Sequence, residues 1–419
     1  MAQPKPTKIL VIANVIPMRD RSGGWFRFYH LLRILADKHD VWLYPSDLAW
    51  QLDYYGESDT RKYQGELEAF GIRILVGEWA DLLKFVCSAR LDILFFEHYG
   101  TVKDVDRIRF WHPPAIVMVD TIDVAFNRLL SKATLTGNPE DLQVAEQVKA
   151  AELAAYAEAD IVIAISHADR TLLLKEAPGL QVDVLPLVYA MPCLGTAKRS
   201  LRNNLLFVAH FDHDANIDGI TYFCANVLPL IINELPDVRL RVVGHSPPPA
   251  VANLASSNVE ILGYVPDIAA VYEKSDVAIA PMRFGGGLKG KIGEAMSYGV
   301  PVVTNSACLQ GFGSTAGKSV LVGDTPEEFA NAVLALLRDP SLHDAIRDEG
   351  LNYIRANFSE QVVARELTDL LTRSQEMRRK RLSLVKRISW QSQRMIDEAK
   401  ALLERHILWR FRSRNFRQH

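Results

Sequence analysis

Short apolar runs recur along the first half of the chain, each followed by a stretch with helical spacing. Lys8–Val15 is the first, and Asp40–Tyr44, Ile72–Val76, Asp92–Phe96, Ala115–Val119 and Asp160–Ile165 repeat it. After the first run, Ser22-Gly23-Gly24 reads as a glycine turn. Phe28, Leu31, Leu32 and Leu35 then share one face of a helix predicted over Trp25–Lys38. Continuous apolar runs belong to strands buried on both faces, as in parallel sheets. Alternation of such strands with helices predicts an α/β, doubly wound domain. The pattern pauses over Met191–Asn203, where Pro192, Gly195 and polar residues read as a linker. A second alternating block follows, with strands at Asn204–Val208, Val238–Val243, Val259–Leu262, Asp276–Ala280, Val300–Thr304 and Ser319–Val322. Its helices are expected at Asp218–Leu235, Ile268–Lys274, Lys289–Tyr298 and Pro326–Leu337. The fold class is therefore α/β, with two doubly wound, Rossmann-like domains facing a cleft. Ligands of such sheets bind beyond the carboxyl ends of the strands, so the cleft is where function is expected.

Composition narrows the class. The chain has 419 residues, 48% hydrophobic and 23% charged, which excludes a disordered chain, a collagen-like repeat and a disulfide-stapled miniprotein. Its four cysteines form no Cys-x-x-Cys pair, which excludes the usual zinc and thioredoxin spacings and fits a reducing compartment. The start, polar and proline-containing, has no signal-peptide pattern. No run reaches the roughly 18–20 apolar residues needed to span a bilayer, so a cytoplasmic location is expected. The net charge of −2 hides an asymmetry: from Arg373 to His419 there are 14 basic and 4 acidic residues, against 34 and 46 before them. An acidic body with a basic tail suggests an anionic contact for the tail.

The most informative stretch runs from Pro281 to Thr304. Gly285, Gly286 and Gly287 follow a strand and allow a ligand to approach the backbone closely. A helix beginning near Leu288 would point its free N–H groups at that loop, which favours a diphosphate. Lys289 and Lys291 add positive charge, and Glu294, three residues on, could accept both hydroxyls of a ribose. A glycine turn before a solvated amphipathic helix is the competing reading of the glycines alone.

The segment Glu294-Ala-Met-Ser-Tyr-Gly-Val-Pro-Val-Val303 resembles the donor-site helix of the family 4, two-domain (GT-B) glycosyltransferases, glycosyl transferases group 1, which reads Glu-Ala-Met-Ala-x-Gly-x-Pro-Val-Val. The resemblance extends over about Lys8 to Leu371. It takes in Ser22-Gly23-Gly24, the run from Ala159 to Ser166, the opening of the second domain from Leu206 to Asn216, and Gly263-Tyr-Val-Pro-Asp267. It implies a retaining, metal-independent transferase that takes a sugar from a nucleotide-diphosphate sugar as co-substrate, with no other cofactor. It also implies that the loop at Gly23 and Gly24 reaches toward the diphosphate; a tight turn needing positive φ is the alternative. Two positions depart from the family pattern. Gly286 stands where the first residue of a Glu-x7-Glu pair is often found, and a subgroup has a glycine-rich loop followed by Lys there, as here. Ala209-His210-Phe211 lacks the family's Arg, which leaves Lys289, Lys291 or Arg283 for the anion.

On the acceptor side, Asp120 and Asp123 match the family's His-Asp type segment and are the candidate catalytic carboxylates, able to orient or deprotonate an acceptor hydroxyl. Asp123 as a helix cap is the alternative, and Arg128 follows five residues on. Glu97 and His98 end a strand at the cleft mouth, and His98 reads equally as a polar loop residue. His210 to Asp214 looks like a metal cluster, but a loop leading into a helix capped by Asp218 accounts for it better, and no metal is expected. Asn216 is a further cleft candidate.

These readings divide the chain into an acceptor domain (1–190), a linker (191–203), a donor domain (204–357), a helix crossing back to the first domain (358–372) and a basic amphipathic tail (373–419). The expected activity is transfer to a glycan or lipid-linked acceptor, in polysaccharide or cell-envelope glycan biosynthesis. The alternatives are a sugar-nucleotide epimerase and a non-catalytic nucleotide-sugar-binding or partner-recruiting protein. The tail, with Trp390, Trp409 and Phe411 among its arginines, suits an anionic membrane surface, its own acidic body or a partner helix. Nucleic acid is not expected, because no recognised nucleic-acid fold accompanies the charge.

Overall fold

The computed structural model describes residues 6–111, 115–192, 201–313 and 316–374. Two separate parallel sheets form. The first holds β1 (Lys8–Ala13), β2 (Asp40–Pro45), β3 (Arg73–Ile74), β4 (Ile93–Phe96), β5 (Ile116–Asp120), β6 (Ile161–Ala164) and β7 (Val182–Val184), in the order β3-β2-β1-β4-β5-β6-β7. The second holds β8 (Asn204–Val208), β9 (Arg239–Val243), β10 (Val259–Gly263), β11 (Val277–Ala280), β12 (Val302–Thr304) and β13 (Leu321–Val322), in the order β10-β9-β8-β11-β12-β13. The two orders are the same pattern twice. In each sheet the order of strand addition reverses at the centre, between β1 and β4 and between β8 and β11, and that is where a doubly wound sheet opens a crevice. The segments that follow those four strands, loops and the first turns of the next helices, carry Gly23 and Gly24, Glu97 and His98, His210 and Asn216, and Arg283 to Lys291.

The apolar runs are strands because both faces are covered. Ile9, Val11 and Ala13 enter one core layer, and Leu10 and Ile12 enter the layer on the other side. Each Ile, Leu or Val side chain so buried contributes about 1.5–3 kcal/mol. The helix Glu360–Ser374 places Val363, Leu367, Leu370 and Leu371 in the same layer as Ile9 and Val11, so the chain returns to the first domain. Residues 375–419 lie outside the described residues, and with them almost all of the basic tail. The linker is described at 191–192 and 201–203.

Several local expectations change. The strand β7 was not anticipated, because Val182–Val184 is too short to give a pattern. Gly23 and Gly24 are not a turn: Ser22 caps the helix Gly23–Ala36 by accepting the Trp25 N–H (3.2 Å), and both glycines have helical backbone. The helix predicted from Asp218 starts at Asp214 behind His213, so Asp218 is not its cap. Helical backbone over Asp214–Glu234 is long and apolar enough to cross a membrane by length and composition, contrary to the count of apolar runs. Its Ile220, Phe223, Val227 and Ile231 belong to the second core.

Candidate functional site

The loop after β11 carries the glycines between a buried strand and the helix Gly290–Ser297, which starts two residues later than expected, behind Lys289. The glycines are required for two different reasons. Gly285 and Gly287 adopt φ of 136° and 60°, which L side chains rarely tolerate. Gly286 is needed for space: a Cβ there would lie 2.8 Å from the Arg128 backbone nitrogen and 3.2 Å from its Cα. Arg128 belongs to the first domain, so the loop is packed against the opposite wall of the cleft. The Gly285 N–H donates to Ser131 Oγ across the same boundary (3.1 Å), and Lys132 pairs with Asp214 (2.7 Å).

The three candidate cations have different situations. Arg283 is engaged by Asp218, lies over the Tyr222 ring and is 42% exposed, so its charge is already balanced near the surface. Lys289 donates to the Gly286 carbonyl (2.6 Å) and holds the loop in shape. Burial lowers its pKa, against the pull of Asp123 and Asp169. Lys291 lies deeper. Its Nζ donates to Asn216 Oδ1 (2.5 Å) and sits 4.4 Å from the centre of the Phe207 ring. Burial brings its pKa down to about 7, with the neighbouring Lys289 acting in the same direction and Glu294 opposing. Asn216 in turn donates to the His210 carbonyl (2.7 Å), which fixes the amide that receives Lys291.

Glu294 accepts a hydrogen bond from the Tyr272 hydroxyl (2.9 Å), and the Tyr272 ring stacks on Tyr298 at 4.5 Å. Burial raises its pKa, while Tyr272 and Lys291 hold it down. Both Glu294 and Lys291 keep some solvent-accessible surface. Leu288 is buried and packs in the second core. Gly293 admits Tyr189, since a Cβ there would fall 2.2 Å from that ring.

On the first domain, Asp120 is not at the surface of the cleft. It is completely buried at the end of β5 and paired with Arg27, whose guanidinium also donates to the Leu185 carbonyl (3.0 Å) and the Pro186 carbonyl (3.3 Å). Glu97 lies beside it, also buried, and burial together with the Asp120 charge pushes its pKa up to about 8. These two carboxylates form the floor below the cleft. Asp123 is accessible and pairs with Arg128 (3.0 Å); Val124, not Asp123, precedes the helix Ala125–Thr136. Between them Ile122 has φ of 56°, a strained position for a β-branched residue, and its side chain faces Gly24. His98 caps a short turn by accepting the Gly100 N–H (3.1 Å), and burial lowers its pKa.

The fold thus brings Asp123, Arg128, Gly286, Gly287 and Lys289 to one boundary, with Lys291, Asn216 and Glu294 further in. It leaves Arg283 outside and Asp120 and Glu97 beneath. The His210 ring is beside Asp212 (3.5 Å), and among the described residues no three His, Cys, Asp or Glu side chains are placed to hold a metal ion. Two cavities, of about 610 and 430 Å³, lie on the outer side where the helix Glu360–Ser374 meets the first domain. They share no residue with this boundary. Sequence reasoning missed four residues here: Ser131, Tyr189, Tyr272 and Asp169. Only Asp169 left a local trace, as the fourth residue of a Ser-x-x-Asp helix start.

Residues 202–339 match the family model described as Glycosyl transferases group 1. A curated relative from Klebsiella pneumoniae, named as an uncharacterized 44.6 kDa protein in the cps region, is 24% identical over 169 residues. That match covers 38% of this chain and 44% of the relative, so less than half of the relative's length is spanned. Among solved structures, Anabaena HepE in complex with UDP and glucose is similar with a TM-score of 0.59 and 16% identity, over 87% of this chain and 99% of that one. A mutant of S. aureus TarM in complex with Fondaparinux, alpha-GlcNAc-glycerol and UDP gives 0.54 and 14%, over 66% of this chain and 55% of that one. The chain has the GT-B fold, and the resemblance read from its sequence holds.

Proposed function

We propose that the chain is a glycosyltransferase that moves a sugar from a nucleotide-diphosphate sugar to a glycan or lipid-linked acceptor. The observation that carries this reading is the group beyond β11: a glycine loop, a helix N-terminus, Lys291 and a partly accessible Glu294, at the crevice of the second sheet. In this reading the first-turn N–H groups of the helix Gly290–Ser297 and Lys291 hold the diphosphate. They stabilise it again as it leaves, which is where an electrostatic site lowers the barrier. Glu294, with one oxygen on Tyr272, offers the other side of its carboxylate to the ribose hydroxyls. Asp123, the accessible one of the two candidate carboxylates, orients the acceptor hydroxyl from the first domain. Contacts across the boundary exclude water once both substrates are in place.

The matched family and the UDP held in the TarM and HepE complexes support a nucleotide-sugar donor, with a uridine nucleotide as the first to test. The relative's place in a cps region supports a role in polysaccharide assembly. Retention at the anomeric carbon and independence of metal follow from the family resemblance. Binding to an anionic membrane through 373–419 follows from its composition.

The test is a thermal-shift panel of UDP-, GDP-, ADP- and dTDP-sugars on the wild type and on Glu294→Gln. Ligands that bind only the folded chain raise its melting temperature. A rise with one nucleotide class, lost in Glu294→Gln, is expected. No rise with any of them at millimolar concentration would overturn the reading.

A further inference from the structure

Asp169 is the third residue of the helix His167–Glu176 in the first domain and is completely buried. Ser166 caps this helix by accepting the Asp169 N–H (3.1 Å) and donates its hydroxyl to Asp169 Oδ2 (2.6 Å). That arrangement uses one carboxylate oxygen. The other, Oδ1, is buried without a hydrogen-bond partner. Burying such an oxygen without a partner is unfavourable, and a Ser at the same place would serve the cap without that burden. Burial shows in the acidity as well, since the pKa of Asp169 is raised to about 6.

What Asp169 faces lies in the other domain. A Cβ built on Gly287 would sit 3.6 Å from Oδ1 and 3.7 Å from Oδ2, so the carboxylate is directed at the glycine loop itself. Lys289, which holds that loop, feels its charge. The first domain therefore presents an unsatisfied acceptor to the segment of the second domain that carries no side chains of its own from Gly285 to Gly287. A sugar joined to a diphosphate at the start of the helix Gly290–Ser297 has hydroxyls to donate and would extend from that loop toward the first domain.

We propose that Asp169 Oδ1 accepts a hydroxyl of the transferred sugar and so makes the first domain part of the donor-sugar site. This rests on the nucleotide-sugar reading above. Recognition of the sugar then depends on the two domains meeting, whereas recognition of the nucleotide does not.

The experiment measures binding of UDP, UDP-glucose and UDP-N-acetylglucosamine by calorimetry on the wild type, Asp169→Asn and Asp169→Ser, with melting temperatures alongside. In the wild type at least one UDP-sugar is expected to bind at least tenfold more tightly than UDP. In both variants that advantage is expected to fall to within twofold, with UDP affinity and melting temperature kept. Variants that keep the full sugar advantage would overturn the proposal, as would a wild type that binds UDP and both sugars equally. Parallel loss of UDP and UDP-sugar binding together with a lowered melting temperature would assign Asp169 to the helix cap alone. If Asp169→Asn fails to fold, Asp169→Ser, which keeps a capping hydroxyl, decides between these outcomes. A wild type that binds none of the three ligands overturns the uridine reading first and this proposal with it, a result distinct from the others.

Discussion

Asp120 and Glu294 are both acidic residues near the carboxyl end of an inner strand, one in each domain, and the sequence suggested a substrate role for both. Their surroundings differ. Asp120 is sealed: one oxygen is paired with Arg27, which also donates to the Leu185 and Pro186 carbonyls, and the other is buried without a hydrogen-bond partner. Glu294 meets one tyrosine hydroxyl, has a lysine nearby rather than in contact, and keeps accessible surface. A charge sealed from solvent against its own counter-charge holds the fold together. A charge that keeps accessible surface is available to a ligand. Motif position alone does not distinguish them; accessibility and the counter-charge do.

The largest expected effect breaks the first member of that pair. Asp120→Ala leaves the Arg27 guanidinium buried without its counter-charge, and removing one partner of a buried pair costs about 3–5 kcal/mol. Urea denaturation should show that loss. Stability unchanged within about 1 kcal/mol would remove the distinction drawn here. Glu294→Gln should do the reverse. Losing a hydrogen bond to a charged group costs about 1.5–3 kcal/mol, so nucleotide affinity should fall roughly 10- to 100-fold. Its urea midpoint should move much less than that of Asp120→Ala.

Gly286→Ala tests whether the two walls must meet. The added methyl would press on the Arg128 backbone, and overpacking costs about 1–3 kcal/mol. If that cost falls on closure, kcat should drop by about tenfold or more while nucleotide affinity is kept; an unchanged kcat would show that the contact is dispensable.

A smaller effect follows from Lys291. Its pKa of about 7 in the folded chain is below the usual 10.5 of lysine. Between those values the unfolded chain holds a proton that the folded chain lacks, so this residue makes stability rise with pH across that window. Affinity for a diphosphate should run the other way, weakening as pH passes upward through 7. Calorimetry with a nucleotide sugar, whose diphosphate does not titrate there, should show the decline in the wild type and its absence in Lys291→Met. The smallest effect is Arg283→Ala. An exposed ion pair contributes about 0–1 kcal/mol, and both stability and nucleotide affinity should stay near wild type.

The fold was legible because most of the strands are continuous apolar runs, and period separates them from the helices. The loop from Gly285 to Lys291 was legible because a backbone-lined site demands glycine, and glycine is visible in a sequence. Lys291 and Lys289 could not be ranked from sequence, since their difference is whether the ammonium meets Asn216 or the loop's own carbonyls. Asp120 was misjudged because Arg27 lies far from it along the chain. Asp169 was overlooked for a related reason: Ser166 explains it locally, and Gly287, which it faces, is more than a hundred residues away. Local rules describe a helix start well and say nothing about what the start points at.

The chain passes between the domains twice, and the two passages touch. The Tyr189 N–H donates to the Phe358 carbonyl (3.2 Å), their rings lie 5.6 Å apart, and Gly293 receives the Tyr189 ring. Bodies tied at one point can rotate about it but cannot slide past each other. Displacement then grows with the length of the lever arm, so atoms beside the tie hardly move when the domains swing. Glu294, next to Gly293, is close to this fulcrum. The contacts that must part are the others: Arg21 over Tyr264, Lys132 with Asp214, and Ser131 with Gly285. The pocket end of the molecule stays assembled while its mouth opens, much as the jaws of pliers travel while the rivet stays still.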